Sequence, residues 1–562
     1  MRAPAIPLRL IALALITGLA AVLRLVDLGA VRLDPFYDAA VRSMGVSWHN
    51  FFFGAYEPGG SVSIDKPPVD LWLQVSSVKL LGWGSTSLKL PEALAGTVAV
   101  PLLYAAMRRP FGTLAGLLAA LALAVLPIEV ITARSDTMDA VMMLLLVLAL
   151  LLLVRACESG RTAWLLGSAA VLGLAFNVKL LESMVALPGL FVLAWLGLPR
   201  ERATASDTAP ESGEGPRGVR GRRAWQLAGA GAVYVVIALS WLGATLLYPA
   251  HSRPWAIGST NGSAWNAAFV FNGSERLTGK TVEVGQSSSS TQRSRGPGGA
   301  VHRGNTPITP PSPTRLLARS GQLPARWLGW EALVALLLGI AVLISLARRD
   351  RDRLKRAVAI GVFVWLATGI ALFSEMARLH PRYVESFTPA VAAMFGIGVA
   401  LVAGAGKWGR WLALPLTALL AIPLVASIEA VEDRTSDAGN VGALNSGEQS
   451  ALSAYLLAHQ GAAHYELAAG SATTVASLIV QDHRPVLMLT SYNGQPLTSP
   501  SRLRALAAQG AVRYAFLDSR CSAHTLKTTP GCAPAARWVR AHGTDVSLQA
   551  GLRSKGLLWR LP

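Results

Sequence analysis

The stretch TMDAVMMLLLVLALLLLV, residues 137–154, is apolar apart from Thr137 and Asp139. An apolar run of this length can cross the hydrocarbon core of a membrane, which is about 30 Å thick and needs roughly 20 helical residues. Similar runs recur along the chain, at 7–25, 91–107, 112–133, 162–180, 183–198, 226–248, 328–347, 357–374, 386–405 and 411–428. The pattern predicts a mainly α-helical, polytopic membrane bundle of about eleven spans.

Composition and charge support this class. Hydrophobic residues make up 52% of the 562 residues and charged residues only 15%, which is too apolar for a soluble protein of this length. The net charge of +19 is concentrated in short connections. If the N-terminus is cytoplasmic, these connections lie inside, as the positive-inside bias requires. The charge then reflects topology and attraction to anionic headgroups, and no nucleic-acid motif accompanies it.

The same topology places the remaining connections outside, at 26–90, 134–136, 180–183, 249–327, 375–385 and beyond 428. Within the long connection 249–327, the Ser-, Gly- and Pro-rich stretch 286–314 predicts a flexible linker.

Cys521 and Cys532 both lie in the outer tail, where an oxidising environment predicts that they form a disulfide.

The tail itself has a different character. Its pattern predicts helices at 451–459, 473–481 and 501–509 that alternate with strands at 465–469, 486–489 and 512–517. This alternation predicts a small α/β domain with a largely parallel sheet. The sequence therefore divides into a membrane domain, 1–430, and an extracytoplasmic α/β domain, 435–562.

Ionisable side chains gather at the predicted outer ends of the spans. Such groups cost several kcal/mol at an apolar boundary unless they are paired or lie in a wet cavity. Because topology brings them to one face, they are candidate site residues: Asp34, Asp65, Lys66, Arg134, Asp136, Asp139, Lys179, His380 and Arg382.

Structural alternatives exist for several of these residues. Asp34 precedes a proline and could cap a helix that begins near Tyr37. Lys66 could extend to a lipid headgroup. Arg134 could form a structural ion pair with Asp136 or Asp139. His380, beside a proline, could be a turn residue.

Three phrases resemble glycosyltransferase families 39 and 83, which use polyprenyl-phosphate sugars and include protein O-mannosyltransferases and aminoarabinose transferases. They are Asp34-x-x-Tyr37, Asp65-Lys66-Pro67-Pro68 and Arg134-x-x-x-x-Asp139. The chain is still more similar to a bacterial subgroup of mannosyltransferases of the YkcA/YkcB kind. The hallmarks of that likeness are Ala40 to Met44, Ser47 to Gly54, Val62 to Leu73, Gly258 to Asn261 and Phe271 to Gly273.

This resemblance implies a GT-C fold and inverting transfer from a polyprenyl-phosphate sugar to an envelope lipid, wall polymer or protein. Asp34 would be the catalytic base. Cations would bind the donor phosphate, namely Lys66 and Arg134, with Lys179 and His380 as further candidates. Supporting positions would be Tyr37, Asp65, Asp136, Asp139, Arg382 and Tyr383. The leaving group is a monophosphate, so a divalent metal is possible but not obligatory, and no residue is assigned to one.

Two other classes of function fit a polytopic chain. A transporter or flippase usually keeps ionisable residues near mid-membrane in two related halves. Here the charges gather at one face and no internal repeat is found. An inactive envelope-sensing scaffold that works through its outer domain is the other alternative.

Overall fold

The computed structural model describes residues 7–199, 217–279, 311–317, 328–349, 352–471, 474–492, 494–517 and 533–562. The predicted disulfide partners Cys521 and Cys532 lie outside these ranges. So does most of the predicted linker, 286–310.

Helices dominate the described residues. In chain order, they are α1 (Leu8–Leu25), α2 (Pro35–Met44), α3 (Trp48–Phe53), α4 (Val69–Leu81), α5 (Ser85–Val125), α6 (Pro127–Ala133), α7 (Asp139–Ser159), α8 (Thr162–Lys179), α9 (Leu187–Gly197), α10 (Arg217–Ala238), α11 (Ser240–Leu246), α12 (Ala264–Asn266), α13 (Glu275–Thr278), α14 (Trp330–Arg349), α15 (Arg353–Glu375), α16 (Thr388–Gly404), α17 (Lys407–Ala418), α18 (Ala421–Glu432), α19 (Ser446–His459), α20 (Ala476–Asp482), α21 (Pro500–Ala508) and α22 (Pro534–His542). A π-helical segment covers Ala267–Ser274, between α12 and α13.

The strands are short. They are β1 (Val62–Ser63), β2 (Trp255–Ala256), β3 (Ala468–Ala469), β4 (Leu487–Met488), β5 (Tyr514–Phe516), β6 (Thr544–Asp545) and β7 (Leu558–Arg560). β1 and β2 pair in parallel and form a small sheet of their own.

Eight helical runs among the described residues are long and apolar enough to cross a membrane, or nine if the bent pair α10 and α11 is one span. The sequence predicted about eleven. The difference arises because Ser85–Val125 and Thr162–Gly197 each count as one run, although each contains two predicted spans. In the first, non-helical backbone at Gly112 separates the two predicted apolar segments. At 41 residues it is about twice the length that one crossing needs.

The described residues form two compact units. The helical unit comprises Met1–Val31, Lys89–Trp241 and Pro307–Asp437. The mixed unit comprises Arg32–Leu88, Leu242–Thr306 and Ala438–Pro562. The predicted first outer loop and the tail therefore share one unit, although they are far apart in the sequence.

Close helix packing in the helical unit depends on small residues. α9 and α15 pack so closely that a Cβ atom on Gly189 would lie 2.4 Å from the carbonyl oxygen of Gly361. A Cβ on Gly361 would lie 2.6 Å from Cβ of Leu193. Small residues allow membrane helices to approach in this way, and the contact gains dispersion energy over the whole interface.

The mixed unit contains a five-stranded sheet in the order β4-β3-β5-β7-β6. β3 pairs in parallel with β4 and β5, which confirms the three predicted strands and their direction. β7 runs antiparallel to both β5 and β6, so only half of the sheet is parallel. The sequence did not predict β6 and β7, which lie beyond residue 517, where the predicted alternation of helices and strands ends.

The segment that the sequence predicts as the first outer loop packs against this α/β fold. Helix α2 lies on α20. The buried carboxylate of Glu57 accepts hydrogen bonds from the backbone N–H groups of Gly59 (2.6 Å) and Val486 (3.3 Å). Since these bonds satisfy a buried anion, they tie the loop to the strand β4 region.

We expect Gly361→Ala to lower the thermal stability of the full chain in detergent, because the added methyl group overpacks the α9–α15 contact. Overpacking of this kind costs about 1–3 kcal/mol. Gly229→Ala in α10 is the matched control, because its Cβ would meet no atom within 4 Å. Equal melting temperatures for the two variants would contradict this packing account.

A buried carboxyl group, Glu466, lies beside a second carboxyl group, Asp482, and gives the mixed unit a pH dependence. Burial, followed by the hydrogen bond and charge of Asp482, raises the pKa of Glu466 from 4.5 to about 10. The folded chain therefore holds a proton that the unfolded chain releases above pH 4.5. Stability should fall as pH rises from about 4.5 towards 10, by up to about 1.4 kcal/mol per pH unit.

Glu466→Gln should remove this part of the pH dependence, since the amide stays neutral. Thermal unfolding followed between pH 6 and pH 9 measures the effect. Glu448→Gln, in α19 of the same unit, is the control and should keep the wild-type slope. An unchanged slope in Glu466→Gln would show that Glu466 is not the titrating group.

Candidate active site

Asp34 occupies the N-cap position of α2. Its Oδ1 accepts a hydrogen bond from the N–H of Phe36 at 3.0 Å, and Pro35 is the first helical residue. Its Oδ2 accepts from the N–H of Gly439 at 2.7 Å, at the start of the tail. The helix-cap alternative is thus confirmed. Both oxygens are therefore held by backbone N–H groups, which fixes the orientation of the carboxylate.

Lys66 contacts Tyr37, which lies three residues after Asp34 in α2. Its Nζ donates to the hydroxyl of Tyr37 at 3.2 Å and to the carboxylate of Asp65 at 3.1 Å. The Lys66 side chain is only 11% exposed, so it points into the protein instead of extending to solvent. Nζ also contacts the second carboxylate oxygen of Asp65, at 3.2 Å, so Tyr37 and Asp65 together fix the ammonium group.

Two further residues, which the sequence did not predict, complete this cluster. Nδ2 of Asn272 donates to the backbone oxygen of Asp65 at 2.8 Å and to its carboxylate at 3.1 Å. Burial alone would raise the pKa of Asp65. This effect is outweighed by the positive charges of Lys66 and Arg276 and by the hydrogen bonds from Lys66 and Asn272. Together they lower the pKa of Asp65 below 3.8. Asp65 is therefore ionised, and the three charged groups carry a net positive charge.

The segment that carries Asn272 is fixed by a glycine contact. Gly258 has a φ of +83°, and a Cβ atom there would lie 2.4 Å from the ring of Phe271. Phe271 in turn contacts the guanidinium of Arg276 (5.1 Å to the ring centroid) and the ring of Tyr492. In the sequence, the segments Gly258 to Asn261 and Phe271 to Gly273 were hallmarks of the family likeness and had no assigned role. This likeness was the one signal in the sequence that pointed to Asn272.

A second group of predicted residues belongs to the helical unit. Lys179, at the end of α8, forms ion pairs with Asp139 at the start of α7 and with Glu182 at 2.9 Å. Lys179 and Asp139 are almost fully buried. Nζ of Lys179 also lies 5.3 Å from the ring centroid of Tyr383. The predicted neighbours Asp139, Lys179 and Tyr383 are therefore brought together.

Arg382 connects to the end of the helical unit. Its Nε lies 3.5 Å from a carboxylate oxygen of Asp437 and donates to Nδ1 of His380 at 3.1 Å. Thr137 also donates to Asp437, at 3.2 Å. His380 immediately precedes a 3-10 turn, Pro381–Phe387, as its turn alternative predicted. Asp437 was not among the predicted residues.

Arg134 and Asp136 are both fully buried. Nη1 of Arg134 donates to the backbone oxygens of Leu23 (3.1 Å) and Val26 (2.6 Å), so this guanidinium joins α6 to the end of α1. The carboxylate of Asp139 pairs with Lys179. In the described part of the chain, no three His, Cys, Asp or Glu side chains form a group that could hold a metal ion.

The fold is similar to that of solved membrane glycosyltransferases of the GT-C type. The structure is similar to ArnT from Cupriavidus metallidurans bound to undecaprenyl phosphate, with a TM-score of 0.53, 17% identity and coverage of 89% of this chain and 88% of that one. It is also similar to the oligosaccharyltransferase AglB from Archaeoglobus fulgidus in complex with an inhibitory peptide and a dolichol-phosphate. For that complex the TM-score is 0.55, with 14% identity and coverage of 96% and 72%.

Sequence comparisons refine this class. Residues 65–208 match the family described as dolichyl-phosphate-mannose-protein mannosyltransferase, and residues 452–542 match "Putative mannosyltransferase YkcB-like, C-terminal". The chain is 25% identical to "Putative mannosyltransferase YycA" of Bacillus subtilis over 92% of its length and 91% of the relative. It is 35% identical to "Putative mannosyltransferase YkcB" of the same organism, over 45% of this chain and 33% of that relative.

The chain therefore has a GT-C fold, and its matches to mannosyltransferase families indicate a multi-pass membrane glycosyltransferase. Within that class it is similar to the bacterial mannosyltransferase-like proteins YycA and YkcB.

Proposed function

We propose that the chain moves a sugar from a polyprenyl-phosphate donor to a cell-envelope acceptor on the outer face of the membrane, with inversion at the anomeric carbon. Support for the donor class comes from the two structural neighbours, whose complexes contain undecaprenyl phosphate and dolichol-phosphate. The N-terminus would be inside, and the α/β domain, from about residue 435, would be outside.

The observation that carries the proposal is the position of Lys66. Its ammonium is fixed by Tyr37 and Asp65, and the side chain is only 11% exposed. The surrounding charge is net positive because Arg276 also acts on Asp65. A fixed, partly desolvated cation of this kind suits a phosphate oxygen, and it stabilises the negative charge that develops on the leaving phosphate.

Asp34 serves as the base. As the acceptor hydroxyl attacks the anomeric carbon, its proton passes to the carboxylate of Asp34. The bond between the anomeric carbon and the phosphate oxygen breaks, and polyprenyl phosphate leaves with the electron pair. The N–H groups of Phe36 and Gly439 hold the carboxylate in place, so its orientation is set before the substrates bind.

The residues of the helical unit take supporting roles in this proposal. Lys179 already faces two carboxylates and Arg134 two backbone oxygens, contacts that favour structural roles over phosphate binding. His380, Arg382, Tyr383 and Asp136 remain candidates for substrate contact. A divalent metal is not required, because a monophosphate leaving group can be stabilised by lysine and arginine alone.

Paired variants test the two roles in proteoliposomes, with polyprenyl-phosphate mannose as the first donor. Asp34→Asn should lower kcat by about 10²–10⁴-fold, the usual contribution of a general base. Undecaprenyl phosphate should still bind to it. Lys66→Gln should weaken binding of undecaprenyl phosphate by about tenfold to hundredfold, because a charge-assisted hydrogen bond is lost.

Two controls keep this test specific. Asp34→Ser keeps a good N-cap residue but has no base, so it should be as inactive as Asp34→Asn and fold as well. Lys79→Gln removes an exposed lysine of the same unit, one that donates to the backbone oxygen of Gly45, and should leave donor binding unchanged. Full transfer by Asp34→Asn would refute the base, and equal weakening by both lysine variants would refute the phosphate contact.

A further inference from the structure

An open pocket lies beside the π-helical segment, apart from the residues assigned to catalysis. It has a volume of about 380 Å³ and is lined by Asn261, Ser263, Trp265, Asn266 and Phe269. Sites for small molecules usually measure about 300–1,000 Å³. The five lining side chains are all uncharged. A pocket without a cation does not suit a phosphate or an anionic headgroup, so its chemistry favours a neutral, hydroxyl-rich ligand.

The two asparagines have fixed orientations. Oδ1 of Asn261 accepts from the N–H of Ser263 at 3.0 Å and from its hydroxyl at 2.9 Å. Oδ1 of Asn266 accepts from the N–H of Thr260 at 2.8 Å. Because each oxygen is engaged by a backbone donor, each NH₂ group points the other way. Within the described ranges neither NH₂ group has a protein acceptor, and both remain available to a ligand.

An aromatic pair forms the apolar part of the lining. The rings of Trp265 and Phe269 meet edge to face, with centroids 5.0 Å apart, and Phe269 is 38% exposed. A pyranose ring has one face of C–H groups that packs on an aromatic surface, and its rim of hydroxyls binds amide donors. Aromatic rings combined with a few fixed polar groups are typical of specific ligand pockets.

We propose that this pocket binds a neutral pyranose ring of the acceptor glycan. Phe269 and Asn272 lie three residues apart in the same π-helical segment, and Asn272 donates to the carboxylate of Asp65, the partner of Lys66. A sugar held there would deliver its glycan to the catalytic cluster. That the pyranose belongs to the acceptor rests on the proposed function, whereas the binding of a pyranose does not.

Saturation-transfer NMR on the full chain in nanodiscs tests the site directly. The probes are the methyl glycosides of mannose, glucose and galactose, without any donor lipid. At least one should bind, with the strongest transfer to the C–H protons of one ring face. Asn266→Asp keeps the oxygen that Thr260 needs but removes the NH₂ donor, and it should weaken binding by about fivefold or more. Trp265→Ala should do the same.

Trp48→Ala is the matched control. Trp48 is an exposed tryptophan of the same unit and makes a similar edge-to-face contact, with Phe51, but it is not part of the pocket. It should bind the glycosides as the wild type does. The proposal is overturned by equal binding in all variants or by no binding of any glycoside. A loss of quenching by brominated acyl chains in Trp265→Ala relative to the wild type would also overturn it, by marking this residue as a membrane-interface anchor. Because no transfer is measured, failure here leaves the catalytic proposal untouched.

Discussion

Buried charges in this protein must find partners, and this constraint shapes both compact units. In the helical unit, Arg24 donates to the backbone oxygens of Leu123 and Ala124, which joins α1 to α5. Lys179 joins α8 to α7 through Asp139. An unpaired ionisable group would cost several kcal/mol in an apolar bundle. Each pairing therefore fixes the approach of two helices as firmly as the apolar contacts do.

The same constraint distinguishes the buried cations by the number of protein groups that each one contacts. Lys179 meets two carboxylates, and Arg134 donates to two carbonyl oxygens. Lys66 meets one carboxylate, while Arg276 also acts on that carboxylate. In the mixed unit, the two cations Lys66 and Arg276 thus outnumber the carboxylate of Asp65. The same unit contains a second carboxylate in a fixed orientation, Asp34. A phosphate ester and an attacking hydroxyl need this combination of charges.

The sequence predicted the features that depend on local pattern. The apolar spans, the helix cap at Asp34 and the strands β3, β4 and β5 all follow from residues that are neighbours in the chain. The contacts that complete the candidate site are not local. Asn272 lies 207 residues from Asp65, and Gly439 lies 405 residues from Asp34. A single hydrogen bond over such a distance leaves no periodic signal in the sequence.

The central claim is that this chain consumes a polyprenyl-phosphate sugar to modify an envelope acceptor. Mass spectrometry of lipid-linked sugars and surface glycans, in cells with and without the chain, tests it most directly. Our account predicts that one polyprenyl-phosphate sugar accumulates without the chain and that the same sugar disappears from one acceptor. Identical lipid-linked sugars and identical glycans in both cell lines would contradict it.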